Sequence, residues 1–100
     1  MNNLLELGFT QEFIDKLIEK EGFVSINGLN NNIENMKRII TIVKELQVED
    51  INDFIYENTS LFYQDYKKIK NIIDNTDLEL LVEQIKEDSN NLAQFLYLYL

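Results

Sequence analysis

Three acidic residues of the sequence are spaced so that they could act together. Glu49, Asp53 and Glu57 follow one another at four-residue steps, which would align their carboxylates along one face of a short helix. Such a row could hold Mg²⁺ or Ca²⁺, or it could imitate the phosphate spacing of a nucleic acid and occupy a basic groove on a partner protein. A hydrated outer helix face would show the same pattern. No calcium-loop spacing accompanies the row, so we name these residues as candidate partner-binding residues and expect no metal site.

The residue types on which most enzymes depend are missing. The chain contains no cysteine and no histidine, which excludes thiolate nucleophiles, zinc–thiolate sites and the usual general base. Glu83 and Glu87 have a helical spacing that could serve acid–base chemistry, but no nucleophile or oxyanion donor accompanies them. We therefore expect a protein that is not an enzyme and that needs no cofactor.

Most of the positive charge is concentrated in two segments, residues 33–46 and 61–74. These segments contain six of the nine basic residues, namely Lys37, Arg38, Lys44, Lys67, Lys68 and Lys70. If the segments form neighbouring helices, they could build a modest basic strip, with Tyr63 and Tyr66 placed to stack on bases. The alternative is a solvated face that balances nearby acids. The formal net charge of −9 favours this alternative, because nucleic-acid binding depends on positive charge.

The segment FLYLYL, residues 95–100, is apolar or amphipathic at every position. A helix with this sequence would be apolar all round, so it is either covered by other helices or partly exposed. An exposed segment would suit contact with a protein partner or with a second copy of the chain. A third interpretation is that a longer protein continues with a helix that covers it. The candidate partner-binding residues here are Phe95, Leu96, Tyr97, Leu98 and Tyr99.

Apolar residues recur at three- and four-residue steps through most of the chain, and there is no proline. This period predicts six or seven short amphipathic helices and therefore an all-α fold, either a small helical-repeat array or a compact bundle. The stretch SINGLNNN, Ser25–Asn32, is the exception, because its glycine and asparagines predict a loop.

The predicted helix ends depend on a few capping residues. Thr10 and Asp50 are expected to be N-caps, and Gly22 is expected to end the helix that Thr10 begins. Capping boxes at Asn31–Glu34 and Thr76–Glu79 predict two further helix starts. These signals divide the chain into its expected helices.

The segment LLELGFTQEFIDKLIEKEGF, residues 4–23, has a weaker echo in VKELQVEDINDFIYENTSLF, residues 43–62. Each copy ends near an apolar pair, Phe23–Val24 or Leu61–Phe62, which we expect to be buried. A period of about thirty to forty residues is typical of stacked helix pairs, because one pair cannot bury its own apolar face. The predicted units of a single domain cover residues 4–42, 43–73 and, as a partial third, 74–100.

This pattern resembles the mTERF family of helical repeats over about Leu4 to Ile73. That family repeats the motif L-x-x-L-G, here at Leu7–Gly8, then a short helix, an apolar pair and a longer helix. The resemblance implies a curved solenoid whose concave basic surface binds nucleic acid. The proline that usually precedes the family's apolar pair is replaced by Glu21–Gly22 and Asn58–Thr59, and the chain is acidic where the family's surface is basic.

The remaining features concern location and origin. The N-terminus has no secretory pattern and no apolar run is long enough to cross a membrane, so we expect a cytoplasmic protein. Asparagine and isoleucine are frequent while arginine and alanine occur once each, which suggests an A+T-rich bacterial, phage or mobile-element source. The leading hypothesis is a non-enzymatic domain that acts through protein–protein interaction as an inhibitor or adaptor. The alternative is an mTERF-like nucleic-acid binder.

Overall fold

Eight α-helices and one short 3₁₀ helix, η1, account for most of the chain. The computed structural model describes residues 1–100, and it contains no strand. The helices are α1 (Asn2–Glu6), α2 (Gln11–Glu21), α3 (Phe23–Asn31), α4 (Ile33–Glu45), α5 (Ile51–Glu57), η1 (Thr59–Tyr63), α6 (Tyr66–Asp74), α7 (Leu78–Glu87) and α8 (Asn90–Tyr99). The predicted all-α class is confirmed. None of these helices combines the length and the apolar character that crossing a membrane requires.

Pairs of helices pack around α4, the longest one. The pairs with the most extensive packing are α2 with α3 and α7 with α8, and α4 contacts α3, α5, α6 and η1. The radius of gyration is 13.3 Å, close to the value of about 13 Å expected for a compact chain of this length. The predicted boundary between residues 42 and 43 falls inside α4, so this helix would be shared by two of the predicted units.

One apolar cluster of 23 buried residues forms the core. On α4, Met36, Ile39 and Val43 are all fully buried, at the three- and four-residue steps that place side chains on one helix face. The apolar pair Leu61–Phe62 of η1 joins the same cluster, as predicted. The core therefore links the middle of the chain to both ends.

Two predicted N-caps and one predicted helix end are confirmed. The side-chain oxygen of Thr10 accepts a hydrogen bond from the backbone N–H of Phe13 at 3.1 Å, and Asp50 accepts one from Asp53 at 3.0 Å. Gly22 ends α2 with a φ of 91°, a conformation that a residue with a Cβ adopts only under strain. The short polar side chains satisfy N–H groups that have no partner within the helix.

Both predicted capping boxes are wrong. Asn31 is the last residue of α3, so it cannot take the extended conformation of a cap, and Asn32 stands before α4 without a side-chain hydrogen bond. At the second box, Asp77 rather than Thr76 caps α7, accepting from the N–H groups of Glu79 and Leu80. A carboxylate one residue further on is the stronger acceptor for these N–H groups.

The predicted loop at Ser25–Asn32 is also wrong, because most of it is helix α3. Ile26 and Leu29 are buried in the core, and the side chain of Asn30 accepts a hydrogen bond from the N–H of Leu4 at 3.1 Å. Packing and this buried hydrogen bond outweigh the weak helix propensity of glycine and asparagine.

The apolar pair Phe23–Val24 is exposed rather than buried as predicted. Both residues lie in the first turn of α3, and Val24 is 85% exposed. The buried face of α3 is set by Ile26 and Leu29, and Val24 lies about 200° around the helix from Ile26. The two apolar pairs of the sequence echo therefore occupy different environments.

Asn30 supports a testable prediction about stability. Its side chain is 8% exposed and satisfies the N–H of Leu4, while its carbonyl accepts from the side chain of Asn3. Asn30→Ala should lower the free energy of unfolding by about 1–3 kcal/mol, because a buried N–H loses its partner. Chemical denaturation measures this. Asn31→Ala, at an exposed position of the same helix, should change the value by about 0.5 kcal/mol or less, and equal effects of the two substitutions would refute the role of Asn30.

Gly22, which precedes α3, and Gly28, which lies inside it, should respond in opposite ways to substitution by alanine. Gly22 has φ 91° and ψ 154°, a region almost restricted to glycine, so Gly22→Ala should destabilise the fold by about 1–3 kcal/mol. Gly28 is helical, and an added Cβ would lie 3.7 Å from a ring carbon of Tyr63, an ordinary contact. Gly28→Ala should therefore stabilise the fold by about 0.5–1 kcal/mol. Thermal unfolding of both variants tests this prediction. A change of Tm in the same direction for both would contradict the backbone conformations assigned to the two glycines.

Candidate interaction sites

The C-terminal segment is divided between the core and the surface. Leu96 is fully buried one turn after Leu92, so naming it as a partner-binding residue was wrong. Phe95 is half-buried, and its ring lies 5.2 Å from the ring of Tyr99. Leu98 and Tyr99 are exposed, with Leu98 79% exposed. The last turn of α8 therefore presents apolar side chains outward.

An exposed leucine of α7 lies at the same end of the molecule as Leu98. Helices α7 and α8 are joined by only Asp88 and Ser89 and pack along each other, so they run antiparallel and the start of α7 is beside the end of α8. Leu80, in the first turn of α7, is 58% exposed. We call Leu80, Leu98 and Tyr99 the α7–α8 patch.

Sequence reasoning did not find Leu80, although a signal was present. The run LELL opens α7, and of its leucines only Leu81 is buried with Ile85 at the four-residue step of one helix face. Leu80 is about 100° away from Leu81 around the helix. Its exposure therefore follows from the helical period once the buried face is known.

Tyr97 and Tyr63 join helices rather than facing solvent freely. The hydroxyl of Tyr97 is hydrogen-bonded to the side chain of Ser60 in η1. The hydroxyl of Tyr63 donates to the backbone carbonyl of Ser25 in α3. Tyr63 was predicted to stack on bases, but its ring lies against α3 instead.

The pKa of Tyr63 is raised above its usual value. Burial is the main cause because it disfavours the charged phenolate, and the negative charge of Glu21 adds to the increase. The side chain of Ser25 acts in the opposite direction, because a hydrogen bond from it to the phenol oxygen lowers the pKa. The folded chain therefore favours the neutral phenol of Tyr63 more strongly than the unfolded chain does.

The predicted acidic row is only partly formed. Asp53 and Glu57 are exposed on α5, but Glu49 precedes Asp50, the N-cap of that helix. Placing Glu49 on the same helix was therefore wrong, because the N-cap fixes where the helix begins. No group of three or more acidic side chains is arranged to hold a metal ion.

The two basic helices do lie side by side, and a groove runs between them. Helices α4 and α6 pack together, and the groove beside them has a volume of about 660 Å³. We call it the α4–α6 groove. Its lining residues are Arg38, Thr41, Ile42, Glu45, Leu46, Tyr66, Lys67, Lys70, Ile73, Asp74 and Leu78.

Asn35 of α4 holds the start of α6 in place. Its side-chain amide donates to the carbonyl of Gln64 at 2.8 Å and accepts from the N–H of Tyr66 at 2.9 Å. At the edge of the groove, the guanidinium carbon of Arg38 lies 5.7 Å from the centre of the Tyr66 ring, within the range of a cation–π contact. Lys70 pairs with Asp74 at 3.5 Å.

The other predicted basic residues lie outside this groove. Lys44 faces a separate depression formed by Leu7 and Ile51, and Lys68 faces the end of α8 beside Tyr99. Lys37 pairs with Glu34 at 3.7 Å. Only Arg38, Lys67 and Lys70 of the six predicted basic residues therefore line one groove, because consecutive side chains of one helix point in directions about 100° apart.

The fold and these surfaces define the class of protein as a compact all-α domain of packed helix pairs. No family model matches the chain, and comparison with curated proteins and with solved structures likewise finds no match. The chemistry of its surfaces therefore has to carry the functional argument.

Tyr63 supports a prediction about alkaline pH. Because its folded pKa is raised, its contribution to stability is complete below about pH 10, where the unfolded phenol titrates, and is lost as pH rises through the folded pKa. Tyr63→Phe should cost about 0.5–1.5 kcal/mol at neutral pH through the lost hydrogen bond. The difference from wild type should narrow above about pH 10. Denaturant unfolding at several pH values measures this difference, and a difference that stays constant with pH would contradict the pKa assignment.

Proposed function

We propose that this chain is a small acidic protein-interaction domain that binds a partner protein, without catalysis, through the α7–α8 patch. The observation that carries the proposal is the 79% exposure of Leu98 in the last turn of α8, next to Tyr99 and at the same end of the α7–α8 hairpin as Leu80. Covering these side chains would remove apolar surface from water, at about 25 cal/mol per Å².

The surroundings of the patch support this proposal. Helix α7 carries the exposed acidic residues Glu79, in its first turn, and Glu83, one turn further on, which would form a polar rim around an apolar centre. Tyrosine is enriched among the residues that dominate binding energy at interfaces, and the exposed Tyr99 is part of the patch. The expected partner therefore offers an apolar pocket bordered by basic groups.

The net charge of the chain supports a basic partner. With a formal net charge of −9, the molecule would attract a positively charged surface over a distance comparable to the Debye length, about 8 Å at physiological salt. Asp53 and Glu57 on α5 would add to this attraction without direct contact at the patch. An inhibitor or adaptor from a phage or mobile element that covers a basic surface of a host protein would have these properties.

Substitution at Leu98 tests the proposal. Tagged protein is used to recover partners from host lysate, with and without nuclease, and each recovered protein is quantified by mass spectrometry. Leu98→Glu should lower recovery of a discrete, nuclease-resistant protein about tenfold, because a charge replaces a central apolar contact. Raising the salt concentration should weaken the interaction as well.

Leu5→Glu is the matched control, since Leu5 is an exposed leucine on α1, which packs mainly on α3. This variant should recover the partner as wild type does. Circular dichroism should show the same helical content in both variants, because exposed substitutions change stability by about 0.5 kcal/mol or less. The proposal would be refuted if Leu98→Glu left recovery of the partner protein unchanged, or if nuclease treatment abolished that recovery.

A further inference from the structure

We propose that the α4–α6 groove is a second binding site, separate from the α7–α8 patch, and that it takes an acidic amphipathic segment of another protein. The groove combines an apolar floor with a rim that is richer in cations than in carboxylates. These two features together select a ligand that presents apolar side chains on one face and carboxylates beside them.

The floor is suited to apolar side chains. Leu46 and Ile73 form its buried part, Ile42 is half-buried, and Leu78 is exposed at one edge. The volume of about 660 Å³ lies within the range of about 300–1,000 Å³ typical of ligand sites. An amphipathic helix lays its apolar face into such a groove through residues spaced by three, four and seven positions.

The rim is suited to carboxylates. The groove is lined by three basic residues, Arg38, Lys67 and Lys70, and by two acidic residues, Glu45 and Asp74. Its net charge is therefore positive, although the whole chain has 18 acidic and 9 basic residues. Lys70 is already paired with Asp74, whereas Arg38 and Lys67 have no carboxylate within 4.0 Å. These two side chains are free to pair with acidic groups of a ligand.

The groove is also held in shape before any ligand arrives. Asn35 hydrogen-bonds two backbone groups at the start of α6, the carbonyl of Gln64 and the N–H of Tyr66. The wall that carries Tyr66 and Lys67 is therefore fixed relative to α4. A groove that is already organised loses less conformational freedom on binding than a flexible one.

A nucleic acid is the less suitable ligand for this groove. Nucleic-acid affinity comes mainly from neutralising many phosphates in a row, but the groove has only three cations and contains two carboxylates. The ring of Tyr66 has Arg38 above it, which competes with a stacked base. The net charge of −9 would repel a nucleic acid, which carries a charge at every phosphate, more strongly than a segment with only a few carboxylates.

The probe is a fluorescent helical peptide of about three turns, with leucines along one face and glutamates flanking that face. A scrambled peptide of the same composition and a single-stranded DNA oligonucleotide are measured in parallel. Fluorescence anisotropy with the full chain should show saturable binding of the amphipathic peptide, much weaker binding of the scrambled one, and a decrease with salt. Methyl resonances of Ile42 and Ile73 should shift on binding.

Two neighbouring lysines give a matched pair of variants. Lys67 lines the groove, whereas Lys68 is exposed on the same helix and faces the end of α8. Lys67→Glu should weaken peptide binding about fivefold, since reversing a charge replaces an attraction with a repulsion, and Lys68→Glu should leave it near the wild-type value. Both variants change the net charge equally, so the difference reports position.

Several outcomes would overturn the proposal. The first is no binding up to about 1 mM peptide, the weakest affinity expected of a specific site. The second is equal weakening by Lys67→Glu and Lys68→Glu. Oligonucleotide binding that exceeds peptide binding and is lost with Lys67→Glu would assign the groove to nucleic acid. A wild-type dimer in sedimentation experiments that Lys67→Glu dissociates would assign it to a second copy of the chain.

Discussion

The rest of the fold depends on the burial of α4. This helix contacts α3, α5, α6 and η1, and Met36, Ile39 and Val43 are shielded completely from water. A single helix of 13 residues has little stability on its own in water, so its conformation is maintained by the neighbours that cover it. Those neighbours pack in turn on the remaining helices, α3 on α1 and α2, and α6 on α8. The surfaces proposed for binding are therefore positioned by the same contacts that stabilise the chain.

The two proposed sites differ in how they are built. The α7–α8 patch consists of side chains that project from the end of a helical hairpin, so it suits insertion into a cavity of another molecule. The α4–α6 groove is concave, so it suits the reverse arrangement, in which the partner supplies the projecting group. A small domain with one projecting and one receiving surface can contact two partners at once. This is the geometry that an adaptor needs.

The sequence predicted the helices well wherever the apolar period and a capping residue agreed. At α2 and α5, Thr10 and Asp50 fix the start, and the buried residues follow at helical steps. The failure at α3 has a different cause, because that helix is maintained by Asn30, whose hydrogen-bond partner Leu4 is 26 residues away. Local propensity carries no information about such a contact.

The candidate site residues were predicted less well than the helices. Composition identified the C-terminal segment and the two basic helices as unusual, but it could not say which side of each helix would be covered. Leu96 and Leu98 are two residues apart, and one is in the core while the other is exposed. Lys67 and Lys68 are adjacent, and only the first reaches the groove. These distinctions depend on the rotation of each helix against its neighbours, which is fixed by packing between distant segments.

Distant segments of the chain are connected largely by hydrogen bonds of asparagine side-chain amides. Asn30 bonds to α1, Asn35 bonds to the start of α6, and Asn58 bonds to Asn90 at the start of α8. An amide donates and accepts hydrogen bonds while remaining neutral, so none of these hydrogen bonds involves an ionisable group. Salt screens attractions between charges but leaves such bonds largely unaffected. The acidic surface can therefore respond to ionic strength and to partners while these asparagine hydrogen bonds do not.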